Sequence, residues 1–208
     1  MDLEETRQRM KDGRLYASNS PELFAEQGRR RDLLDAYNAL PFSSMEERDA
    51  LLLELVAEAG EGCMIEPPFY ANWGGANLHL GNNVYANMGL CLVDDADIFI
   101  EDNVMIGPNV TISTASHPIS PRLRALGLQY NKPVRICEGA WLGAGCIVLQ
   151  GVTIGKGSVV GAGSVVTGDV PAGVVAVGCP CRVLRAIDED DGRTYDHGKA
   201  VEGRWLEA

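Results

Sequence analysis

The sequence predicts a mainly β fold, a solenoid of short strands preceded by a helical N-terminal segment. The composition changes once, near Gly62, from a stretch with little glycine to one rich in glycine, valine and isoleucine. Beyond that point branched aliphatic residues recur at every sixth position, namely Ile136, Leu142, Val148, Ile154, Val160 and Val166. An α-helix does not keep a period of six and an amphipathic strand has a period of two. The repeat therefore favours a solenoid in which three hexapeptides close one triangular coil.

Each position of the hexapeptide has an expected role. The aliphatic residue is expected to fill the interior of the coil, and the small or β-branched residue four positions later to fit its corner. Glycine follows the aliphatic residue in several repeats, where we expect it to supply the unusual backbone geometry of the turn. These glycines are Gly143, Gly155 and Gly161.

The N-terminal segment carries helix start signals. Ser20-Pro21 combines an N-cap serine with proline at the first helical position. A second helix is expected after Ser43-Ser44-Met45-Glu46, which has the pattern of a capping box, and Gly60 and Gly62 are expected to end it. The 208 residues then divide into a helical segment over 1–62 that packs on the solenoid, the solenoid over 63–187 and a polar tail over 188–208.

The repeat is interrupted at two places. The step from Leu92 to Ile100 is eight residues, so two extra residues are inserted there. The stretch 118–133 does not follow the pattern and is expected to project from the coil as a loop. The first break holds Asp94-Asp95, and the second begins directly after His117. Binding and catalytic residues are expected at such irregular points of a regular scaffold.

Charge and hydropathy exclude several classes of function. The net charge of −11 repels phosphate backbones, so nucleic acid is not expected as a partner. No apolar run approaches the roughly 18 residues of a membrane helix. The first residues are acidic, where a secretory signal would carry basic and apolar residues. We therefore expect a cytoplasmic protein that does not bind membranes.

The cysteine pattern gives no sign of a metal site. The six cysteines have no CxxC spacing, and we expect them to be small buried apolar residues. Cys179-Pro180-Cys181 supplies too few ligands for zinc, which needs four, or three with water. No metal is therefore expected.

Of the three histidines, His117 is the candidate for catalysis. His79 lies between two leucines, so alternation turns it towards solvent, and His197 lies in the polar tail. A histidine at neutral pH can take the proton of an attacking hydroxyl group. On the residues alone, a catalytic base and a solvated corner histidine are equally plausible for His117. Asn87 and Asp95, each taken alone, fit structural turn positions better than binding positions.

Several motifs go beyond the hexapeptide pattern and extend from Met10 to Ile187. They are Gly13-Arg14-Leu15-Tyr16, Pro21-Glu22-Leu23, Glu66-Pro67-Pro68-Phe69-Tyr70, Leu80-Gly81-Asn82-Asn83-Val84-Tyr85-Ala86-Asn87, Val93-Asp94-Asp95, Gly107-Pro108-Asn109-Val110-Thr111, Ser116-His117-Pro118, Gly151-Val152-Thr153-Ile154-Gly155, Gly161-Ala162-Gly163-Ser164-Val165-Val166-Thr167 and Gly178-Cys179-Pro180-Cys181-Arg182-Val183. With these motifs the sequence resembles the maltose/galactoside O-acetyltransferase family, which includes nodulation acetyltransferases. The resemblance implies a left-handed parallel β-helix and a homotrimer with active sites between subunits. It also implies acetyl transfer from acetyl-CoA to a sugar hydroxyl, which we expect to be the 6-hydroxyl.

The resemblance also implies roles for individual residues. His117 matches the catalytic base, and Asn87 and Asp95 match residues that bind the acceptor hydroxyls, with Asn72 and Tyr85 on the same acceptor side. On the donor side, Gly107 and Ala144 match contacts to the pantetheine arm, and an amide near Ala144 is expected to stabilise the oxyanion. Thr167 matches a position near the adenine. Trp141 either walls the donor channel or packs under the loop, and Arg182 and Arg185 either bind the nucleotide phosphates or form a solvated surface pair.

Three departures from the family pattern concern the substrates. Ser18 stands where the galactoside branch has an acid, and Asn72 where it has a serine. The segment Ala71-Asn72-Trp73-Gly74-Gly75-Ala76 is one residue longer than usual, and Gly168 replaces a frequent lysine. Because a charge is lost near the acceptor, we expect neutral glucose or maltose to be preferred over a thiogalactoside.

Two other classes of protein share this type of coil. An acetyltransferase of the same fold with a xenobiotic or amino acid as acceptor remains an alternative. A non-catalytic scaffold would show a flat face of repeated threonines, and a β-helical zinc hydratase would need three suitably placed histidines. Neither pattern is present in the sequence.

Overall fold

The computed structural model describes residues 2–206, beginning with a helical segment. This segment comprises α1 (Leu3–Lys11), the short strand β1 (Tyr16–Ala17), α2 (Pro21–Ala39) and α3 (Met45–Leu55). The predicted start of α2 is correct, because the Ser20 side chain accepts a hydrogen bond from the Leu23 amide. The predicted capping box of α3 does not form: Ser44 is the N-cap residue but its side chain makes no capping bond. Helix α1 was not predicted.

A parallel β-helix follows the helical segment. Its strands, in chain order and with the excursion after β10 included, are β2 (Glu58–Ala59), β3 (Met64–Ile65), β4 (Tyr70–Ala71), β5 (Leu78–Leu80), β6 (Tyr85–Ala86), β7 (Cys91–Val93), β8 (Ile98–Ile100), β9 (Met105–Ile106), β10 (Thr111–Ser113), β11 (Ala115–Ser116), β12 (Leu128–Asn131), β13 (Val134–Ile136), β14 (Trp141–Leu142), β15 (Ile147–Val148), β16 (Thr153–Ile154), β17 (Val159–Val160), β18 (Val165–Val166), β19 (Val174–Val177) and β20 (Arg182–Ala186). Since α3 ends at Leu55 and β2 already pairs with β5, the coil begins before Gly62.

Three sheets form the faces of the coil. Sheet I contains β2, β5, β8, β13 and β16; sheet II contains β3, β6, β9, β14, β17, β19 and β20; sheet III contains β4, β7, β10, β15 and β18. Each coil passes through sheet II, then sheet III, then sheet I, and equivalent strands of successive coils pair in parallel register. The six aliphatic residues from Ile136 to Val166 that revealed the repeat are all fully buried, at 0% exposure. Each contributes about 1.5–3 kcal/mol of burial free energy, so the predicted interior is the core of the fold.

The glycines that follow the aliphatic residues have a different role from the predicted one. Gly143 does not have a positive φ angle, but a Cβ atom on it would lie 2.6 Å from the Ala162 amide nitrogen in the next coil. These glycines therefore permit close approach of successive coils. The left-handed turn geometry belongs to other corner positions, such as Asn103 at φ 58° and Gly139 at φ 67°.

The segment 118–133, expected to project as a loop, has its own secondary structure. It contains helix α4 (Pro121–Arg124), and its return strand β12 pairs antiparallel with both β11 and β1. The N-terminal segment and this excursion from the coil are thus joined in one small sheet, in the order β1-β12-β11.

After β20, which runs antiparallel to β19, the C-terminal tail forms short elements on the surface. They are a 3₁₀-helix (Glu189–Gly192), β21 (Thr194–Tyr195), β22 (Lys199–Ala200) and α5 (Gly203–Leu206). Within residues 2–206, no helix has the length and apolar character required to span a bilayer.

Candidate active site

The first break of the repeat lies at a corner between sheets III and I and holds the buried Asp95. Its side chain, 5% exposed, accepts hydrogen bonds from three side chains. Asn72 Nδ2 donates to Oδ2 at 2.9 Å, whereas Trp73 Nε1 and Gln129 Nε2 donate to Oδ1 at 3.3 and 3.0 Å. Within the described residues Oδ2 accepts only one bond, so it retains a lone pair for a ligand hydroxyl.

Asp94, next to it, shapes the backbone of the segment 71–76. Its carboxylate accepts hydrogen bonds from the backbone amides of Trp73, at 2.7 Å, and Gly75, at 3.0 Å. Gly74 between them has φ +62°, and a Cβ atom there would collide with the Arg30 carbonyl. Burial of Asp94 raises its pKa from 3.8 to about 6, because the charged form is desolvated. Asp94 therefore fixes the backbone that positions Asn72.

The raised pKa of Asp94 predicts a measurable pH dependence of stability. Between about pH 4 and pH 6 the native state keeps the proton on Asp94, whereas the unfolded state has released it. The stabilisation from this bound proton is therefore complete below about pH 4 and is lost as the pH rises through 6. Between pH 5 and 7.5 the free energy of unfolding of the wild type should fall by roughly 1.4 kcal/mol relative to the non-titrating Asp94→Asn variant. Urea denaturation of both proteins measures this difference, and parallel pH profiles would contradict it.

The second break places His117 at the end of β11, where its side chain is exposed. The ring nitrogen Nδ1 lies 2.8 Å from the Leu128 carbonyl oxygen. A carbonyl can only accept, so Nδ1 carries the proton and donates it to this bond. The neutral ring then has its lone pair on Nε2, which is the tautomer a general base requires.

A buried amide network joins the two breaks to the N-terminal segment. Gln129 Nε2 lies 2.5 Å from Tyr16 Oη and 3.1 Å from Asn131 Oδ1, in addition to its bond to Asp95. Asn131 Nδ2 donates to the Asp95 carbonyl oxygen at 3.0 Å. The sequence interpretation missed Gln129 and Asn131. Their alternation with Leu128 and Tyr130 was the signal for a strand with one polar face, but it lay in a stretch interpreted as a loop.

A polar cavity of about 240 Å³ opens beside this network. It is lined by Tyr16, Ser18, Asn19, Leu23, Phe24, Gln27, Arg31, Asn72, Trp73, Asp95 and Gln129. Arg31 Nε donates to the Asn72 carbonyl oxygen at 3.1 Å, and its guanidinium also bonds the Asn72 side chain. Arg31 and Trp73 were not among the predicted site residues. Two predicted acceptor residues, Asn72 and Asp95, therefore share this cavity, which can take a small molecule with several hydroxyl groups.

The other two predicted acceptor residues lie elsewhere. Asn87 follows β6 at the corner between sheets II and III, and its Oδ1 accepts a hydrogen bond from the Met88 amide at 2.8 Å. Tyr85 faces outward on sheet II, and its hydroxyl donates to Glu66 at 2.7 Å. Strand β7 separates this corner from the one that holds Asp95. Within one chain the structure does not bring Asn87 and Tyr85 together with Asp95.

Three predicted donor residues lie on the Asn87 side. Gly107 and Ala144 occupy the same corner in successive coils, where a Cβ atom on Gly107 would lie 2.8 Å from the Ala144 amide nitrogen. Trp141 stands on sheet II between Met105 and Val159, and it is 50% exposed. Its indole therefore faces outward and is half exposed.

The remaining donor residues separate into two places. Thr167 and Arg182 line one cavity of about 200 Å³ near the last coil. Arg185 instead makes two hydrogen bonds to Asp191, at 2.6 and 2.7 Å, which lower the pKa of that carboxyl to about 2. Arg182 is therefore available to a phosphate beside Thr167, whereas Arg185 is already paired.

The other histidines and the cysteines do not form a metal centre. His79 faces outward on sheet I, stacked on Phe99, with its ring nitrogens 3.0 and 2.9 Å from Glu58 and Asp97. Among residues 2–206 no group of three or more His, Cys, Asp or Glu side chains is arranged to hold a metal ion. The expectation that the cysteines are buried is wrong for most of them. Only Cys146 and Cys181 are buried, and Cys179 is exposed.

Known proteins match this chain along most of its length. The family model described as the maltose acetyltransferase hexapeptide capping motif matches residues 9–60, and that of the bacterial transferase hexapeptide (six repeats) matches residues 133–168. A galactoside O-acetyltransferase of Lactococcus lactis subsp. lactis (strain IL1403) is 53% identical over 188 residues, which are 90% of this chain and 91% of the relative.

Solved structures agree with the sequence matches. A galactoside acetyltransferase in complex with coenzyme A is 40% identical, with a TM-score of 0.91, over 98% of this chain and 100% of the other. A hexapeptide-repeat acetyltransferase of Vibrio cholerae O1 biovar eltor complexed with acetyl coenzyme A is 34% identical, with a TM-score of 0.80, over 88% and 98% of the two chains. The predicted left-handed parallel β-helix with an N-terminal helical segment is confirmed. The chain belongs to the galactoside and maltose O-acetyltransferase family of hexapeptide-repeat acetyltransferases.

Proposed function

We propose that this protein is an acetyl-CoA-dependent O-acetyltransferase that acetylates a sugar, at its 6-hydroxyl, with His117 as general base. The observation that carries the proposal is the hydrogen bond from His117 Nδ1 to the Leu128 carbonyl at 2.8 Å, which leaves Nε2 free to accept a proton. Leu128 directly precedes Gln129, which lines the polar cavity, and this link along β12 supports a base near the candidate acceptor site. Relatives named as galactoside O-acetyltransferases, and structures with coenzyme A or acetyl coenzyme A, support the reaction and its donor.

The reaction needs no covalent enzyme intermediate. The sugar oxygen attacks the thioester carbonyl as His117 Nε2 takes the hydroxyl proton, and a C–O bond forms. The tetrahedral intermediate collapses with cleavage of the C–S bond, and the proton on His117 passes to the departing thiolate. Within the described residues the Ala144 amide donates to no acceptor, which suits it to the transient oxyanion.

The acceptor cavity supports a polyol such as a sugar. Asp95 offers a free lone pair, Arg31 offers further N–H groups, and Phe24, which is 57% exposed, offers an aromatic surface at the rim. An acceptor screen with acetyl-CoA and thiol detection tests the proposal. We expect glucose, maltose or a galactoside to give higher kcat/KM values than serine or chloramphenicol at equal concentration. A non-sugar acceptor that exceeds every sugar would contradict the sugar assignment.

The separation of the two sets of residues supports a homotrimer with sites between subunits. Asn87, Gly107 and Ala144 lie at the corner between sheets II and III, whereas His117 and Asp95 lie beyond sheet III in the same chain. A second copy can supply the missing half, and the exposed Met105 and Trp141 on sheet II offer an apolar surface for contact. The solution mass should equal three chains.

Subunit mixing tests this arrangement directly. His117→Ala removes the base, and Ala144→Trp fills the donor channel, so each variant alone should be inactive. If every site combines halves of two subunits, trimers assembled from equal amounts of both variants should regain about a quarter of the wild-type kcat per site. Mixed trimers without activity would show that each site lies within one chain.

The compartment is also part of the proposal. All six cysteines are free, which suits a reducing compartment. We place the enzyme in the cytoplasm, where acetyl-CoA is available as the donor.

A further inference from the structure

The Gln129 side chain has one end bound by the protein and the other end unused. Gln129 is only 7% exposed. Its Nε2 atom lies within 3.1 Å of three acceptors: Asp95 Oδ1, Tyr16 Oη and Asn131 Oδ1. A carboxylate only accepts hydrogen bonds, so the amide group must turn its NH₂ end towards Asp95. The orientation of the amide is therefore fixed by chemistry, and Oε1 points away from Asp95.

The Oε1 atom of Gln129 has no donor within residues 2–206. Oε1 is nevertheless not fully buried. Among the described residues, Arg48 Nε is the one fully buried side-chain polar atom that lacks a hydrogen-bond partner, so the unpartnered Oε1 must be accessible. Gln129 lines the acceptor cavity, so a ligand bound there lies against the side chain that carries Oε1. A nine-tenths buried polar side chain with an unused acceptor at a cavity wall is suited to bind a hydroxyl donor of a ligand.

We propose that Gln129 selects the acceptor by accepting a hydrogen bond, through Oε1, from a sugar hydroxyl other than the one that is acetylated. This inference rests on the proposed sugar acetylation. Asp95 and Gln129 then form a matched pair at the cavity wall, in which the Asp95 carboxylate and the Gln129 carbonyl each bind a hydroxyl group. An acceptor that lacks the second hydroxyl leaves Oε1 desolvated and unpaired, which costs roughly 5- to 150-fold in kcat/KM.

Asn131 provides a matched control in the same network. It is 1% exposed and does not line the acceptor cavity. Both ends of its amide are used by the protein: Nδ2 donates to the Asp95 carbonyl oxygen, and Oδ1 accepts from Gln129 and Tyr16. A change at Asn131 therefore disturbs the position of Asp95 without removing an acceptor from the cavity.

The test combines enzyme variants with deoxy sugars. For the wild type, Gln129→Met and Asn131→Leu, kcat/KM is measured with the preferred hexoside and with each monodeoxy analogue that keeps its 6-hydroxyl. One analogue lacks the hydroxyl that binds Asp95. Apart from that one, we expect the wild type to show a kcat/KM at least about 10-fold lower with one further analogue than with the parent hexoside. In Gln129→Met this loss should shrink to within about twofold while the losses of the other analogues persist. In Asn131→Leu all sugars should weaken together, with the wild-type pattern of losses retained.

Each result of this experiment decides between the possibilities. If every deoxy analogue loses as much kcat/KM in Gln129→Met as in the wild type, the inference is overturned, and Gln129 only positions Asp95. If Gln129→Met does not fold, Gln129→Asn replaces it, because asparagine keeps the amide but withdraws its oxygen by one methylene. The penalty for the same deoxy analogue should shrink in this variant too. A wild-type enzyme that acetylates no sugar would instead overturn the proposed function, and this inference with it.

Discussion

Replacement of His117 by alanine should lower kcat for acetyl transfer by roughly 10²–10⁴-fold, the usual contribution of a general base. The hydrogen bond from Nδ1 to the Leu128 carbonyl orients the ring and, in the neutral imidazole, leaves the lone pair on Nε2, so no other described side chain at this break is equally prepared to take the proton. Because the exposed imidazole is not part of the core, acetyl-CoA should still bind to the variant. Steady-state kinetics and calorimetric titration with acetyl-CoA measure the two effects separately.

His79→Ala is the matched control for this substitution. His79 faces outward on sheet I and is held by Glu58 and Asp97, so its removal should leave kcat within about twofold of the wild type. Wild-type turnover in His117→Ala would reject His117 as the base. Equal losses in the two variants would indicate a general effect of removing an imidazole rather than loss of the base.

Asp95→Ala should lower kcat/KM for a hexoside by roughly 5- to 150-fold, because sugar hydroxyls lose a buried acceptor. A simple alcohol makes no use of this carboxylate, so its slow acetylation should change much less. The variant also leaves the donors on Asn72, Trp73 and Gln129 without their partner, which should lower the thermal midpoint. Parallel kinetics with a hexoside and a primary alcohol separate recognition of the sugar from loss of stability.

Asp97→Ala is the control for Asp95→Ala. It removes a nearby carboxylate that does not line the acceptor cavity. Asp97 is half exposed and pairs with His79 at 2.9 Å, so its loss should affect sugar kinetics little. Hexoside turnover that is unaffected by Asp95→Ala would show that the acceptor is bound elsewhere.

The sequence predicted the coil well because its interior depends on local regularity. A period of six places one aliphatic side chain per strand in the interior, and every such residue from Ile136 to Val166 is buried. Both breaks were recognised as well, since an insertion interrupts the period whatever its structure. The role of the glycines was misjudged, because close approach between coils depends on neighbours about 18 residues away, such as Ala162 beside Gly143.

The acceptor cavity could be predicted only in part. Asp95 and Asn72 followed from the resemblance, but Tyr16 and Gln129, which are 113 positions apart, meet only after the excursion from the coil folds back on β1. No local pattern encodes such a contact. The same reason applies to the ion pair between Arg185 and Asp191, a residue of the C-terminal tail, which no local pattern predicted.

The small sheet formed by β1, β12 and β11 keeps most of the proposed acceptor wall separate from the coil. Most of the acceptor wall comes from outside the coil, from Tyr16, Ser18 and Arg31 on the N-terminal segment and Gln129 on the return strand. The donor-side positions Gly107 and Ala144 belong to the coil itself, where their close packing tolerates little change. If the proposed sites are correct, substitutions in the two outer segments should change the choice of acceptor while the donor-side positions in the coil stay in place.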